Sequence, residues 1–337
     1  MLKPFTPWRI ATAAVVLALG LVAETQAQSF TTFDPQGSEY TQPTGINKSG
    51  MITGFYRDGG GVTHGFVRDT GGAIIPFDPP GSTATFAHSI NKKGAITGTY
   101  RDSESVFHGF VRDPGGVMTS FDAPGALATG SESINGKGVI TGNYTDAQSV
   151  DHGFVRDPGG AFTSFDAPGS AYPGTYAVSI NKKGVITGEY YDSGNVLHGF
   201  VRAAGGAVVS FDPAGSTDTN PESVNDKGVI TGYWADDQGV PHGFVRDAGG
   251  AITSFDAPGS NGTRALSINK RGAITGVYFD SGGVLHGFVR DVSGAVTPLD
   301  PPGSTWTITA GINKKGAITG QYYDTSGTSH GFVRSAK

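Results

Sequence analysis

The chain has 337 residues, of which 54 are glycine, 19 are proline and none is cysteine, and its formal net charge at pH 7 is −5. The absence of cysteine excludes disulfide scaffolds and cysteine-ligated metal sites, and the glycines lack the three-residue period of collagen. With 37% hydrophobic residues, including 20 phenylalanines, the composition is that of a folded protein rather than a disordered one.

The first 27 residues have the pattern of a secretory signal peptide. Lys3 and Arg9 flank the start of an apolar run from residue 10 to residue 23, and small residues at 25 and 27 mark a cleavage point. This run is shorter than the roughly 20 residues that a transmembrane helix needs, although an uncleaved membrane anchor is the alternative. We therefore expect a secreted or periplasmic protein with no transmembrane segment after cleavage, in which residues 28–337 form a single domain.

One motif repeats through the rest of the chain. His-Gly-Phe-Val-Arg occurs seven times at spacings of 44 residues, with a single spacing of 46. The motif begins at His64, His108, His152, His198, His242, His286 and His330. A Phe-Asp pair, replaced once by Leu-Asp, and an Asn turn motif recur in the same rhythm. A period of about 40 to 50 residues is typical of a propeller or a stacked array.

Each repeat contains four short runs with the composition of β-strands. In the fourth repeat they are residues 178–181, 185–191, 198–202 and 208–212, separated by turns rich in Asn, Asp and Gly. After the signal peptide, no segment has an apolar stripe of helical period over a helical length. The sequence therefore predicts an all-β fold.

The two ends of the repeat array predict how it is completed. The segment Phe30–Asp34 is a lone strand of the fourth type, and the chain ends with a strand of the third type at Arg334. Together they bring the predicted strands to 28, or seven sets of four. Pairing of the N-terminal strand with the C-terminal blade removes exposed sheet edges. We therefore predict a seven-bladed β-propeller with four strands per blade, closed by this pairing.

The repeat unit resembles the HAF-type repeats of bacterial extracellular proteins. The matching segments of the fourth repeat are Asn181–Gly184, Val185–Gly188 and His198–Phe200, except that Gly199 stands where the family has alanine. The resemblance covers about residues 30 to 334. It implies an extracellular repeat protein of propeller type, and it carries over no catalytic residue.

The repeated histidines and phenylalanines have a structural interpretation. Each histidine follows an aspartate across a tight turn, as Asp192 precedes His198 and Asp280 precedes His286, which predicts a carboxylate–imidazole hydrogen bond. One such pair per blade does not supply the three or more converging ligands of a catalytic metal site. We therefore predict no metal and no cofactor. The repeated phenylalanines are expected to form core layers between the blades.

The connection from Phe-Asp to the next Asn turn varies most between repeats. It is also the longest connection, so we assign it to the crossing between blades, where a rigid scaffold commonly presents recognition residues. Drift among unconstrained surface residues is the alternative. The candidate ligand-binding residues in these segments are Tyr40, Phe86, His88, Tyr172, Tyr176, Arg264 and Trp306.

The strand order predicts that the charges divide between two faces. The face with the Asn turns carries 18 cations, seven of them the arginines of Phe-Val-Arg, against six carboxylates. The face with the variable crossings carries 22 carboxylates against three arginines. A basic face attracts anionic polymers and anionic headgroups. Nucleic acid is not an expected partner, because the basic side lacks interleaved aromatic residues.

Three functions remain open from the sequence. The first is a non-catalytic binding or scaffold propeller whose variable loops recognise carbohydrate or a cell-envelope polymer, with a glycan or an anionic envelope polymer as partner. The second is a polysaccharide lyase or hydrolase on the same face, with His88, Tyr172 or Tyr176 as candidates. The third is a structural envelope protein without a ligand. Near-identical repeats favour a protein without catalytic residues, since catalysis needs unlike groups at one place. We expect a monomer.

Overall fold

The computed structural model describes residues 29–336, so the predicted signal peptide lies outside the described residues. Within this range the chain forms 28 strands and no helix. They are β1 (Phe30–Phe33), β2 (Ser38–Ile46), β3 (Ile52–Asp58), β4 (Thr63–Arg68), β5 (Ile74–Phe77), β6 (Ala84–Ile90), β7 (Ile96–Arg101), β8 (Phe107–Arg112), β9 (Met118–Phe121), β10 (Ala128–Ile134), β11 (Ile140–Thr145), β12 (Asp151–Arg156), β13 (Phe162–Phe165), β14 (Thr175–Ile180), β15 (Ile186–Tyr191), β16 (Leu197–Arg202), β17 (Val208–Phe211), β18 (Asp218–Val224), β19 (Ile230–Ala235), β20 (Pro241–Arg246), β21 (Ile252–Phe255), β22 (Gly262–Ile268), β23 (Ile274–Phe279), β24 (Leu285–Arg290), β25 (Val296–Leu299), β26 (Trp306–Ile312), β27 (Ile318–Tyr323) and β28 (Ser329–Arg334).

The strands form five four-stranded sheets and one eight-stranded sheet in a β-propeller arrangement. The eight-stranded sheet consists of β2–β5 and β6–β9, joined by one parallel pair, Thr63 with Ala84. The chain thus forms a β-propeller of six sheets, one of which combines two of the predicted four-stranded blades. The third strand of each repeat lies beside the first strand of the next, and here the two backbones are close enough to bridge.

The N-terminal strand joins the last sheet. β1 pairs antiparallel with β28, with Phe30 opposite Arg334 and Phe33 opposite Gly331, so this sheet has the order β1-β28-β27-β26. The first strand of each repeat lies beside the first strands of its neighbours, and β2 lies beside both β6 and β26. The first strands therefore surround the axis, where the sequence places them.

A ladder of asparagine side chains links the first strands at one end of the axis. Each Nδ2 donates to the main-chain oxygen of the corresponding asparagine in the next repeat, at 2.9–3.2 Å, and the seventh donates to the first. Each Oδ1 accepts amide hydrogens of its own turn. The asparagines of this ladder are Asn47, Asn91, Asn135, Asn181, Asn225, Asn269 and Asn313.

The core consists of the repeated apolar residues. The phenylalanine of every His-Gly-Phe motif, such as Phe66, is completely buried. In six of the seven repeats it packs edge-to-face on the Phe-Asp phenylalanine that precedes it in the chain, as Phe66 does on Phe33 with ring centroids 6.1 Å apart. In the seventh repeat Leu299 stands in place of that phenylalanine. The guanidinium of Arg68 lies 5.0 Å from the centroid of the same Phe33 ring. The phenylalanines therefore form the predicted core layers, and truncating one is expected to cost about 3–5 kcal/mol.

Candidate functional site

A register shift in every first strand aims one residue at the axis. Within each first strand the pairing with the second strand skips one position, as at a β-bulge. A bulge leaves the extra residue outside the ladder and redirects its side chain. These seven residues line an axial cavity of about 370 Å³, and they are Thr44, His88, Glu132, Val178, Glu222, Leu266 and Ala310.

The glycine of each Ile-Thr-Gly motif permits this bulge. At Gly142 a Cβ atom would collide with the main-chain oxygen of Gly130 in the neighbouring first strand, and the equivalent glycines, such as Gly98 and Gly188, face the same collision. The backbone approach that forms the bulge is therefore compatible with glycine alone at this position. In the sequence, this glycine therefore indicates where the residues that line the axial cavity lie.

His88 and Glu132 form an ion pair in the wall of the axial cavity. Nδ1 of His88 lies 3.0 Å from the main-chain oxygen of Ser131 and 3.1 Å from Oε2 of Glu132. Because a carbonyl oxygen can only accept, Nδ1 carries a hydrogen. Burial opposes charge on both side chains, but their mutual attraction outweighs it, so the pKa of His88 is raised and that of Glu132 is lowered.

Two further glutamates, Glu222 in the wall of the axial cavity and Glu189 in β15, hold their protons more strongly than usual. Burial raises the pKa of Glu222 to about 7, with Glu132 acting in the same direction and Arg264 opposing it. Burial, together with the charges of Glu222 and Asp218, raises the pKa of Glu189 to about 8. Carboxyl groups that titrate near neutrality can donate as well as accept hydrogen bonds at physiological pH.

A pocket of about 430 Å³ lies between the second and third repeats, beside the axial cavity. Its apolar side includes the rings of Phe86 and Phe107, and the Phe107 side chain is 41% exposed. Its polar side includes Asn143, Glu132 and Asp151. The pocket therefore combines aromatic surface with amide and carboxylate groups, and His88 lines both this pocket and the axial cavity.

Hydrogen bonds hold the polar side of this pocket in place. Oδ1 of Asp151 accepts from Oγ1 of Thr145 at 2.7 Å and from Nδ2 of Asn143 at 3.4 Å. Oδ2 of Asp151 accepts from the hydroxyl of Tyr176 at 2.8 Å. Burial, followed by this hydrogen bond, raises the pKa of Tyr176 well above its ordinary value. Tyr176 is therefore a donor that orients Asp151 and is unsuited to act as a base.

The other predicted residues lie outside this pocket. Tyr40 lines a separate cavity of about 430 Å³ with Phe55, and Arg264 lies 5.1 Å from the ring centroid of Tyr233. Tyr172 is 69% exposed in the loop before β14, and Trp306 is 42% exposed at the start of β26. The structure thus brings Phe86 and His88 together, with Tyr176 joined to their pocket through Asp151.

Sequence reasoning missed one variable column and the role of one acidic residue. The residue immediately before each His-Gly-Phe motif varies, and in the second and third repeats it is Phe107 and Asp151. Glu132 lies within a variable crossing segment but is not among the candidate ligand-binding residues. The sequence does indicate Phe107 and Asp151, because they occupy a position that varies directly beside the invariant His-Gly-Phe motif.

Each repeated histidine binds two aspartates rather than the one that the sequence predicts. Nε2 of His108 lies 3.2 Å from Asp102, the predicted partner, while Nδ1 lies 3.0 Å from Asp122 of the Phe-Asp motif. Although burial acts against it, these carboxylates raise the pKa of His108. The two aspartates contact opposite ring nitrogens, so the three groups do not converge on a point. In residues 29–336 no cluster of three or more such side chains could hold a metal ion.

Comparisons with known proteins identify the fold. No protein-family model and no curated protein matches the chain. Virginiamycin B lyase from Staphylococcus aureus superposes with a TM-score of 0.60 at 11% identity, over 91% of this chain and 99% of that one. The propeller domain of the Trilobed protease from Pyrococcus furiosus, described as having an open velcro topology, gives 0.63 at 11% identity, over 89% and 96%. At such identities the likeness shows the β-propeller fold alone.

A lectin is also among the similar structures. A mutant of the Aleuria aurantia lectin, in complex with Fucα1-6GlcNAc, gives a TM-score of 0.46 at 13% identity, over 79% of this chain and 97% of that one. A superposition this distant carries no argument about a ligand. The resemblance to HAF-type repeats stays a prediction. Within the described part of the chain, no helix is long and apolar enough to cross a membrane.

Proposed function

We propose that this protein is a secreted or periplasmic binding propeller that recognises a neutral saccharide in the pocket between its second and third repeats. The observation that carries the proposal is the pocket itself, in which Phe86 and Phe107 lie opposite Asn143 and Asp151. Ligand sites commonly combine apolar walls with a few oriented polar groups. A sugar ring offers both an apolar face and a rim of hydroxyl groups.

The charges of the pocket favour a neutral sugar over an acidic one. Glu132 and Asp151 can accept charge-assisted hydrogen bonds from sugar hydroxyls. The same carboxylates repel a uronate or a sulfated sugar. A neutral glycan of the cell envelope is therefore the ligand class that fits this face.

We also propose that the scaffold is a closed ring of seven four-stranded blades and that it is monomeric. The pairing of β1 with β28 supports closure, as does the hydrogen bond from Asn313 to Asn47. Counting β2–β5 and β6–β9 as separate blades gives seven, because one residue pair joins them. Equilibrium sedimentation tests the monomer, and the N-terminal residue of exported protein tests cleavage after Ala27.

The test of saccharide binding is an array of neutral glycans, followed by titration of the best ligand. Phe107→Ala and Asp151→Asn should each weaken binding by about tenfold or more, since each removes a main contact of one side of the pocket. Val117→Ala, which removes an exposed apolar side chain from the opposite face, should leave affinity unchanged. Asp237→Asn is the matched charge control, because Asp237 is exposed on the variable face in the fifth repeat.

Failure of this test has a definite form. If no glycan binds at high protein density, the protein is better described as a structural envelope component. If binding occurs but Phe107→Ala and Asp151→Asn leave it intact, the ligand occupies another part of the variable face.

One observation favours an enzyme as the second candidate. His88 lines the axial cavity together with Glu222, whose pKa burial raises to about 7, so an imidazole and a carboxyl group that can each exchange a proton share one chamber. A polysaccharide lyase or hydrolase would form product that is lost in His88→Ala. Of the sequence candidates only His88 keeps this role, because Tyr176 is held protonated and Tyr172 lines neither chamber.

A further inference from the structure

The Asn turns place a ring of lysines around a second axial cavity, at the end of the axis opposite the proposed saccharide face. The first residue after each ladder asparagine lines an axial cavity of about 460 Å³. In five of the seven repeats this residue is a lysine, and the exceptions are Gly136 and Asp226. The five are Lys48, Lys92, Lys182, Lys270 and Lys314. We call this ring the lysine mouth.

The backbone beneath the lysine mouth is held in a fixed position. The Asn47 side chain donates to the main-chain oxygen of Asn91 at 3.2 Å and accepts the amide hydrogens of residues 49, 50 and 51. Its counterparts make the corresponding bonds to the next repeat all around the axis. The lysines therefore project from anchored turns, which limits the entropy lost when they bind a ligand.

Only one cation of these turns has a carboxylate partner within the described residues. Among residues 29–336, the ion pair of Lys270 with Asp226, at 3.7 Å, is the only one formed by a lysine or an arginine. Lys314, Lys48 and Lys92 lie in three consecutive repeats around the axis and have no carboxylate within 4 Å in the described structure. Clustered like charges without counter-charges repel one another, and a bound anion relieves this repulsion.

The arginines and aspartates of the same face do not cancel this charge. Six of the seven Phe-Val-Arg arginines, such as Arg68, lie over phenylalanine rings and are partly or fully buried. The nearby aspartates cap their own turns, as Asp69 Oδ1 accepts the amide hydrogens of Gly71 and Ala73. The free positive charge of this face therefore belongs to the Asn turns.

We infer that the lysine mouth binds a linear polyanion, with acidic polysaccharide of the polyuronate type as the ligand class. The mouth is concave, so a chain can place successive carboxylates inside it, while a flat bilayer reaches only the rim. None of the large exposed apolar side chains in the described chain belongs to these turns, so the mouth has nothing to insert into a membrane. A polymer contacts several lysines at once and gains from multivalency.

The experiment is binding of the purified chain to immobilised polygalacturonate, with dextran as the neutral control, at low and high salt. Binding should occur on polygalacturonate alone and fall steeply with salt. The triple variant Lys48→Gln, Lys92→Gln, Lys314→Gln should lose about tenfold or more in affinity. The matched triple Lys93→Gln, Lys183→Gln, Lys227→Gln removes the same charge one residue further along the turns and should lose less than about threefold.

A gain-of-function variant sharpens the test. Asp226→Asn keeps an oxygen for the Lys182 amide, now 3.2 Å from Asp226 Oδ1, and it frees Lys270 from its partner. It should therefore strengthen binding by about threefold or more.

Three outcomes would overturn the inference. They are equal losses in the two triple variants, absence of binding at low salt, and binding to vesicles containing phosphatidylglycerol without binding to polygalacturonate. Phe107→Ala should leave polyanion binding intact, so this result is independent of the saccharide pocket on the other face.

Discussion

The two axial cavities are lined by the same seven first strands but differ in how much their residues are constrained. At the basic end each asparagine bonds both its own turn and the next repeat, so every repeat has the same residue there. At the acidic end the bulged residue lies outside the ladder, and the repeats place Thr44, His88 and Glu132 at equivalent positions. Positions that complete the framework are uniform, whereas positions released by the bulge are free to diversify for recognition.

The two ends also differ in how their charge is compensated. On the acidic face each repeated histidine bridges two aspartates, as His108 bridges Asp102 and Asp122. On the basic face of the described chain, Lys270 with Asp226 is the one lysine–carboxylate pair. The formal net charge of −5, which counts histidine as neutral, therefore combines an excess of carboxylates on one face, many of them hydrogen-bonded to histidine, with a smaller excess of lysines on the other.

Removing the strand that joins the ends of the chain should affect both faces and have the largest effect. Deletion of residues 30–34 removes the β1–β28 pairing, the buried Phe33 and the Asp34–His330 contact of 2.7 Å. We expect the free energy of unfolding to fall by more than about 5 kcal/mol, since loss of one buried phenylalanine alone costs about 3–5 kcal/mol. Denaturant unfolding measures the change. Binding of the saccharide and binding of the polyanion should be lost together.

The control for this deletion is Thr31→Ala. Thr31 is exposed on the same strand. The free energy of unfolding of this variant should therefore stay within about 0.5 kcal/mol of that of the parent. Unchanged unfolding after the deletion would show that β1 does not complete the last sheet in solution.

Disturbing a bulge should weaken binding on the acidic face without changing binding on the basic face. In Gly142→Ala the new methyl group would collide with the main chain at Gly130, which should cost about 3 kcal/mol. The shift should displace Glu132 and weaken saccharide binding, while the lysine mouth keeps its affinity for polyanion. Gly205→Ala is the matched control, because a Cβ at Gly205 meets no atom within 4 Å. Equal stability of the two variants would contradict the account of the bulge.

The sequence predicted the framework because the framework is repeated. The four strands per repeat, the buried Phe66 column and the contact of His286 with Asp280 are confirmed. Each of these depends on residues that recur at a fixed spacing, so one repeat could be interpreted with the help of the other six.

The site was harder to predict, because it depends on how strands meet rather than on any one strand. Phe107 and Asp151 are neighbours only because β8 and β12 of consecutive repeats frame one pocket. Asp122 reaches His108 from the end of β9, whereas Asp102, the predicted partner, follows β7. The bulge at Glu132 needs a two-against-one pairing, for which Gly142 was the only local signal.

Each repeated histidine forms a triad with its two aspartates, and these triads predict that the stability of the protein depends on pH. The pKa of His108 is raised above 6.5, so its stabilising contribution is fully present below pH 6.5 and is lost as pH rises through the raised value. The pKa of Asp102 is lowered from 3.8, so its contribution is present above pH 3.8 and is lost as pH falls. We therefore expect the melting temperature to be highest between pH 3.8 and pH 6.5 and to fall toward alkaline pH.

A variant isolates the triads from the other titrating groups. Glu189, with a pKa of about 8, also favours the protonated folded state and so adds to the alkaline loss. His108→Gln removes one triad and should make the alkaline fall shallower, whereas Lys93→Gln on the basic face should leave its slope unchanged. A slope that is the same in His108→Gln and in the parent would contradict this assignment.

The smallest expected effect comes from a comparison of Tyr176 with Tyr172, which the sequence predicted equally as ligand-binding residues. The Tyr176 hydroxyl donates to Asp151 at 2.8 Å, whereas Tyr172 is 69% exposed. Tyr176→Phe removes one hydrogen bond and should cost about 0.5–1.5 kcal/mol in unfolding free energy. It should also weaken saccharide binding, because Asp151 loses the donor that orients it. Tyr172→Phe should change neither quantity, and an equal effect of the two substitutions would mean that the bond to Asp151 does not organise the pocket.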